Sequence, residues 1–199
     1  EISVLIVYTG VNEIGEDVVF VRGTDKLAEG KSHTLCDISG EYVSEVSEGL
    51  VDTPIDVEVN KLLMDPSYDL ILSIGQVVPH EVVGMANYSK NIFVGCGGSS
   101  MINSSHMLGA FYGMERIMGK DFSPVRRVFD YAQEHFLADI PLVYVLTTTT
   151  NQGDEVTIHG LYIGSDRAPF EAAVKKSQEI NLTHMKERLK KVVVYLDPR

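Results

Sequence analysis

The sequence predicts an α/β protein: a layered sheet with flanking helices, mostly parallel with some antiparallel strands. Three observations lead there. Short apolar runs rich in β-branched residues recur along the chain. Stretches with helical spacing of apolar residues lie between them, and cap residues mark where two of those helices begin. At 199 residues the chain can bury one core, with room for a small satellite lobe.

In chain order, strands are expected at Ile2–Tyr8, Val18–Arg22, Asp69–Ile74, Asn91–Val94, Leu142–Thr147, Val156–Ile163 and Lys191–Leu196. The runs VVFVRG and VTIHGLYIG read as the antiparallel members. A helix over Val57–Met64 would put Val59, Leu62 and Leu63 on one face. A longer, Met-rich helix is expected over Ser100–Met118. Ser123 and Pro124 form an N-cap and first-turn pair for Val125–Phe136. Asp166 can cap a helix running from Ala168 to about Lys190. The whole of 1–199 reads as one α/β domain, the cofactor-binding part of a larger protein, with a sub-boundary near 119–123. Residues 191–199 read as the start of a second lobe, since YLDPR stops where an α/β enzyme carries on into a loop.

Charge and cysteine content narrow the function. A formal net charge of −11 argues against a nucleic-acid groove, which needs clustered Lys and Arg, but leaves room for a small anionic substrate. No run approaches the length of a membrane span, so no membrane partner is expected. Cys36 and Cys96 form no CxxC, a usage that fits the cytoplasm.

Candidate chemistry begins where the apolar run DLILSIG ends. Ligands of open α/β sheets collect beyond the carboxyl ends of strands, and GQVVPHEVVGMANYSK places His80 and Lys90 there. Pro79 suits the first turn of a short helix, and a helix N-terminus would hold the His80 imidazole neutral. NIFVGCGGSS then supplies Gly95, Gly97 and Gly98 before a long helix, an outline of anion binding by free backbone N–H groups; an ordinary Gly-rich turn explains it as well. On that helix His106 reads as a core histidine or as a metal ligand. No HxxxH, HExxH or Cys pair accompanies it, so a metal there would need a cofactor to supply most of its coordination.

Taken together, PHEVVGMANYSKNIFVGCGGSSMINSSH spaces His80, Lys90 and His106 by ten and sixteen residues. This resembles the nickel-dependent lactate racemase family, whose signature runs as PH, a Gly-rich turn, Lys, a Gly-containing loop and a further His. The resemblance is strongest at 69–112, with weaker support in VTIHGLYIGSD and KKVVVYLDP. It implies a nickel-pincer nucleotide, a pyridinium mononucleotide holding nickel through carbon and two sulfurs. Lys90 would carry it through a thioamide link, Gly97 and Gly98 would line it, and His106 would complete the nickel coordination. His80 would be one of two histidines that shuttle the hydroxyl proton of a 2-hydroxy acid, lactate or a sugar acid, while the Cα hydride moves reversibly to the pincer.

The chain departs from the family in places. TGVNE puts Asn12 where the second catalytic His is expected, and Asn12 cannot act as a base; His33 is the nearest substitute. The family's Asp-x-Thr-Arg phosphate segment and its closing C-terminal lobe have no counterpart, and ANYSK replaces a more Gly-rich turn. The isolated chain is therefore expected to lack cofactor and turnover. The alternative is a non-catalytic α/β module that binds small molecules. A nicotinamide dehydrogenase ranks last, as no dinucleotide fingerprint is present. His135, His159 and His184 lack partners at motif spacing, Arg126 and Arg127 read as solvated, and Arg167 reads as an exposed charge beside the Asp166 cap.

Overall fold

The computed structural model describes residues 3–8, 19–21, 32–152, 155–183, 185, 187 and 190–193. Its central sheet is built from β1 (Val4–Tyr8), β2 (Val19–Val21), β5 (Leu70–Gln76), β8 (Leu142–Gln152) and β9 (Glu155–Gly164). The strand order is β2-β1-β5-β8-β9, with the first four parallel and β9 antiparallel to β8. The expected fold class stands. The VVFVRG run is a correction, because β2 lies parallel to β1.

Register explains why these runs form a sheet with one dry face. Leu5, Ile71 and Leu142 make one rung, and Val7, Ser73 and Tyr144 the next. All six are buried. Alternation puts every second side chain on this face. Against it pack α4 (Pro124–Phe136), α5 (Ala168–Asn181) and a π-helical turn at Asn91–Gly95, whose Phe93 stacks on Phe129. Along β9 a bulge shifts the pairing between Thr148 and Thr149. As a result Val156, Ile158, Leu161 and Ile163 share one face with Val145 and Thr147, and all four are exposed.

A second, two-stranded antiparallel sheet pairs β3 (Ser32–Ile38) with β4 (Ile55–Asn60), joined by α1 (Gly40–Val46). Here the expected helix over Val57–Met64 gives way to a strand followed by a 3₁₀ turn at Lys61–Met64. Ile55, Val57 and Val59 alternate with Asp56 and Glu58, so a period of two buries all three apolar residues. Likewise Asn91–Val94 is the π-helical turn and not a strand. The helix expected over Ser100–Met118 is α2 (Ser99–Tyr112) broken from α3 (Met114–Ile117) at Gly113, whose φ is 101°.

The Ser123-Pro124 cap is as expected: the Ser123 hydroxyl accepts from the Arg126 N–H at 3.0 Å. That hydroxyl also donates to the Val83 carbonyl, and the Gly119 N–H donates to the Gly84 carbonyl, so 119–123 is tied to residues 83–84. Asp166 accepts from the Ala168 N–H, but α5 ends at Asn181 instead of near Lys190, and 191–193 are not in a strand. Residues 194–196 of the expected last strand lie outside the described residues, as do Ile2, Val18 and Arg22 of the first two. Among the described residues no helix is long and apolar enough to cross a membrane. Cys36 is exposed and Cys96 buried, with no bond between them.

A Cβ at Gly97 would lie 1.8 Å from the Phe93 carbonyl oxygen, a contact that backbone cannot yield cheaply. Gly97→Ala is expected to destabilise the protein by about 1–3 kcal/mol, read as a lower denaturant midpoint at unchanged slope.

Candidate functional site

Past the end of β5 the chain clings to β8 through a 2.8 Å bond from the Val77 N–H to the Thr147 carbonyl, then folds back on itself. β6 (Pro79–His80) pairs antiparallel with β7 (Gly84–Met85), so His80 stands at the base of a tight turn and not on a helix. Gly84 closes that turn at φ 90°, where a Cβ would meet the Lys120 carbonyl at 2.0 Å. The expected helix dipole at His80 is thus absent.

The imidazole is still held below its usual pKa. Burial is the first cause and the Lys90 ammonium the second, with smaller pushes from His106 and Arg126; Glu81, whose carboxylate lies 3.7 Å from Nδ1, pulls the other way. Nδ1 accepts the Val82 N–H at 3.1 Å. Neutral His80 therefore carries its proton on Nε2, and presents an N–H donor in this tautomer.

Lys90 opens the π-helical turn and is half-buried. The residues before it are bent: Asn87 and Tyr88 both adopt left-handed backbone, at φ 68° and 56°, which costs of order 1 kcal/mol each for side-chain-bearing residues. Three sets of contacts hold them. Asn87 Oδ1 accepts the Tyr88 N–H at 2.7 Å. The Tyr88 ring packs between Tyr144 and Phe170, with centroids 4.6 and 4.9 Å away. From α4, Arg126 donates through Nη2 to the Met85 and Asn87 carbonyls at 2.6 and 3.1 Å, and through Nη1 to the Ser89 hydroxyl at 2.7 Å. Ser89 in turn donates to Asp130. Beyond Lys90, Asn91 Nδ2 donates to Ser73 on β5 at 2.8 Å.

His106 is exposed on α2. Its Nδ1 lies 2.7 Å from the Ile102 carbonyl, which can only accept, so Nδ1 bears the proton and Nε2 keeps a lone pair. That is the tautomer a metal ligand needs. Lys90 and His106 both act electrostatically on His80 and on Glu81. Among the described residues no group of three or more His, Cys, Asp or Glu side chains could hold a metal ion.

Gly97 and Gly98 face protein. Gly97 is bridged to Val59, and a Cβ at Gly98 would meet the Glu58 carboxylate at 2.3 Å. Glu58 also accepts the Ser100 N–H at 2.9 Å, and Asp56 accepts the Ser100 hydroxyl at 3.0 Å. A protein carboxylate thus sits at the start of α2, where the sequence suggested a ligand anion; the two glycines serve close packing of α2 on β4.

Sequence reasoning missed Arg126 and Arg167. Arg126 is fully buried, over the Phe170 ring, and not solvated. Arg167 is a network residue that pairs with Asp130, Asp121 and Glu171. The i,i+4 spacing of Arg126 and Asp130, now 3.9 Å apart, was the available signal. His33 is exposed on β3 opposite Val59. His135 stacks on Tyr131 at the surface, and His159 meets Thr150. Asn12 and His184 lie outside the described residues.

Residues 37–119, which contain His80, Lys90 and His106, match the sequence model of the lactate racemase N-terminal domain. The match extends over less than half of the chain. Two solved structures share the fold. A crystal structure of a protein from Thermotoga maritima matches with a TM-score of 0.72 and 23% identity, covering 85% of this chain and 40% of that one. The lactate racemase apoprotein from Thermoanaerobacterium thermosaccharolyticum matches at 0.55 and 19%, covering 82% of this chain and 33% of that one. The chain thus spans less than half the length of either. No curated protein matches the sequence.

Because Lys90 presses His80 toward neutrality, Lys90→Met is expected to raise the pH at which His80 half-protonates, followed by imidazole NMR. His80 in the unaltered protein should titrate below the ordinary histidine range. A depressed value means that its neutral state favours the fold at pH 7, and that this contribution is lost as the pH falls through the folded-state value.

Proposed function

We propose that this chain is the cofactor-binding part of a racemase or epimerase that inverts the stereocentre of a 2-hydroxy acid, using a nickel-pincer nucleotide. What supports this reading is the match of residues 37–119 to the lactate racemase N-terminal domain, together with the place of His80 past the end of β5, where the Lys90 charge acts on it.

The residues fit the cofactor. A group that brings carbon and sulfur donors of its own needs two things from protein: an amine for attachment and one imidazole for nickel. Lys90 supplies the amine, and His106 the imidazole through Nε2, its ring oriented by the Ile102 carbonyl. Bound, the group supplies a reversible acceptor for a Cα hydride. His80 then acts on the substrate hydroxyl. Held neutral and protonated on Nε2, it first binds the substrate oxygen as a hydrogen-bond donor; taking up the hydroxyl proton requires the ring to exchange its tautomer and release the Val82 N–H. Burial around His80 keeps the imidazolium short-lived, which suits a group that must pass a proton in both directions.

Intact mass after expression of the full-length protein with cofactor-making enzymes and nickel tests this. An adduct at Lys90 is expected, absent in Lys90→Ala. His106→Ala should keep the adduct and lose bound nickel, measured by elemental analysis. An unmodified Lys90 under those conditions removes the proposal. An adduct without inversion of any enantiopure hydroxy acid selects a binding module instead.

A further inference from the structure

We propose that Arg126 is a positioning residue for Lys90, gripping from the core the left-handed turn that delivers the amine. The proposal rests on the reading above for the purpose of the amine, but its geometry stands by itself. Lys90 follows two consecutive residues with positive φ, a backbone that Asn and Tyr do not adopt unaided. One guanidinium spans that turn: Nη2 reaches the carbonyls of Met85 before the bend and of Asn87 within it, and Nη1 reaches the hydroxyl of Ser89 after it, the residue next to Lys90. A planar fork can serve all three at once from a single fixed position.

The grip is itself anchored. Arg126 is in the first turn of α4, behind the Ser123 cap, with its side chain fully buried over the Phe170 ring. Ser89 continues to Asp130, and Asp130 is held from the other side by Arg167. On its far side Lys90 is followed by Asn91, fastened to Ser73 in the sheet. Both chain neighbours of Lys90 are thus fixed by side-chain hydrogen bonds, so the helix layer and the sheet together set where the amine stands.

The test uses the full chain without cofactor. Native-state acetylation with a water-soluble succinimidyl ester is followed by peptide mass spectrometry, with exposed Lys61 and Lys120 as internal references, alongside hydrogen exchange of the amides at 86–90. In Arg126→Gln the rate at Lys90 relative to Lys120, and exchange at 86–90, are expected to rise by about tenfold, the loss of one to two hydrogen bonds to a charged donor. A purely structural role would speed all lysines together or none. Ser89→Ala, which cuts the link beside Lys90 while leaving the cation and both carbonyl bonds, should give a smaller rise in the same ratio and serves where Arg126→Gln does not fold. An unchanged ratio in the folded variant overturns the proposal. The two readings separate cleanly: a native chain that takes no adduct at Lys90 while the ratio still rises in Arg126→Gln ends the cofactor assignment alone, and a normal adduct yield with an unchanged ratio ends the positioning role alone.

Discussion

The buried guanidinium of Arg126 is the interaction on which this structure turns. Taking a cation fully out of water costs several kcal/mol unless its hydrogen bonds are replaced, and here two carbonyls, a hydroxyl and an aromatic face do most of that work, with Asp130 at 3.9 Å. Burial pulls Arg126 below its ordinary pKa while Asp130 and Asp121 oppose this; burial likewise pushes Asp130 up, against Arg126 and Arg167. The pair is therefore better understood as a means of fixing a conformation than as a source of stability. Among the described residues Nε of Arg126 has no hydrogen-bond partner, which adds to the cost of holding the cation there.

From that hub the rest of the neighbourhood follows. The helix layer grips 85–89, the sheet grips Asn91, and the β6-β7 turn carries His80 back toward the same end of β5. α2 reaches the region from a different support, the small β3-β4 sheet, to which Glu58 and Gly97 join it. Amine and imidazoles thus stand on three separately braced pieces of backbone.

How much of this was legible in the sequence depended on how many residues carried each signal. β1, β5, β8 and β9 were readable because each is a run of β-branched residues, and α4 because Ser123, Pro124 and an apolar stripe agree. β4 was misread because Val59, Leu62 and Leu63 satisfy a helical period, while the winning alternation of Ile55, Val57 and Val59 spans only five residues. Asn91–Val94 looked like a strand since short apolar runs do not declare their period; what decides it is the left-handed pair before Lys90 and the bond from Asn91 to Ser73, both tertiary. The spacing of His80, Lys90 and His106 was visible as a motif. Their support was not, because Arg126 is adjacent to them only in space, and because glycines that admit a ligand and glycines that admit a helix look alike in sequence.

The extra residue in β9 has a consequence for how this ribbon can change length. With one more residue on β9 than on β8 between the two halves, both halves of β9 keep their apolar side chains in phase. Losing His159 itself would close the bulge and leave Val156, Ile158, Leu161 and Ile163 in one row of an unbroken ladder, whereas losing Thr157 with the bulge retained would carry Val156 to the opposite side of the sheet. Beyond the bulge, insertions and deletions in β9 are thus neutral to the pattern only in even numbers, while at the bulge the ribbon can differ by the one residue.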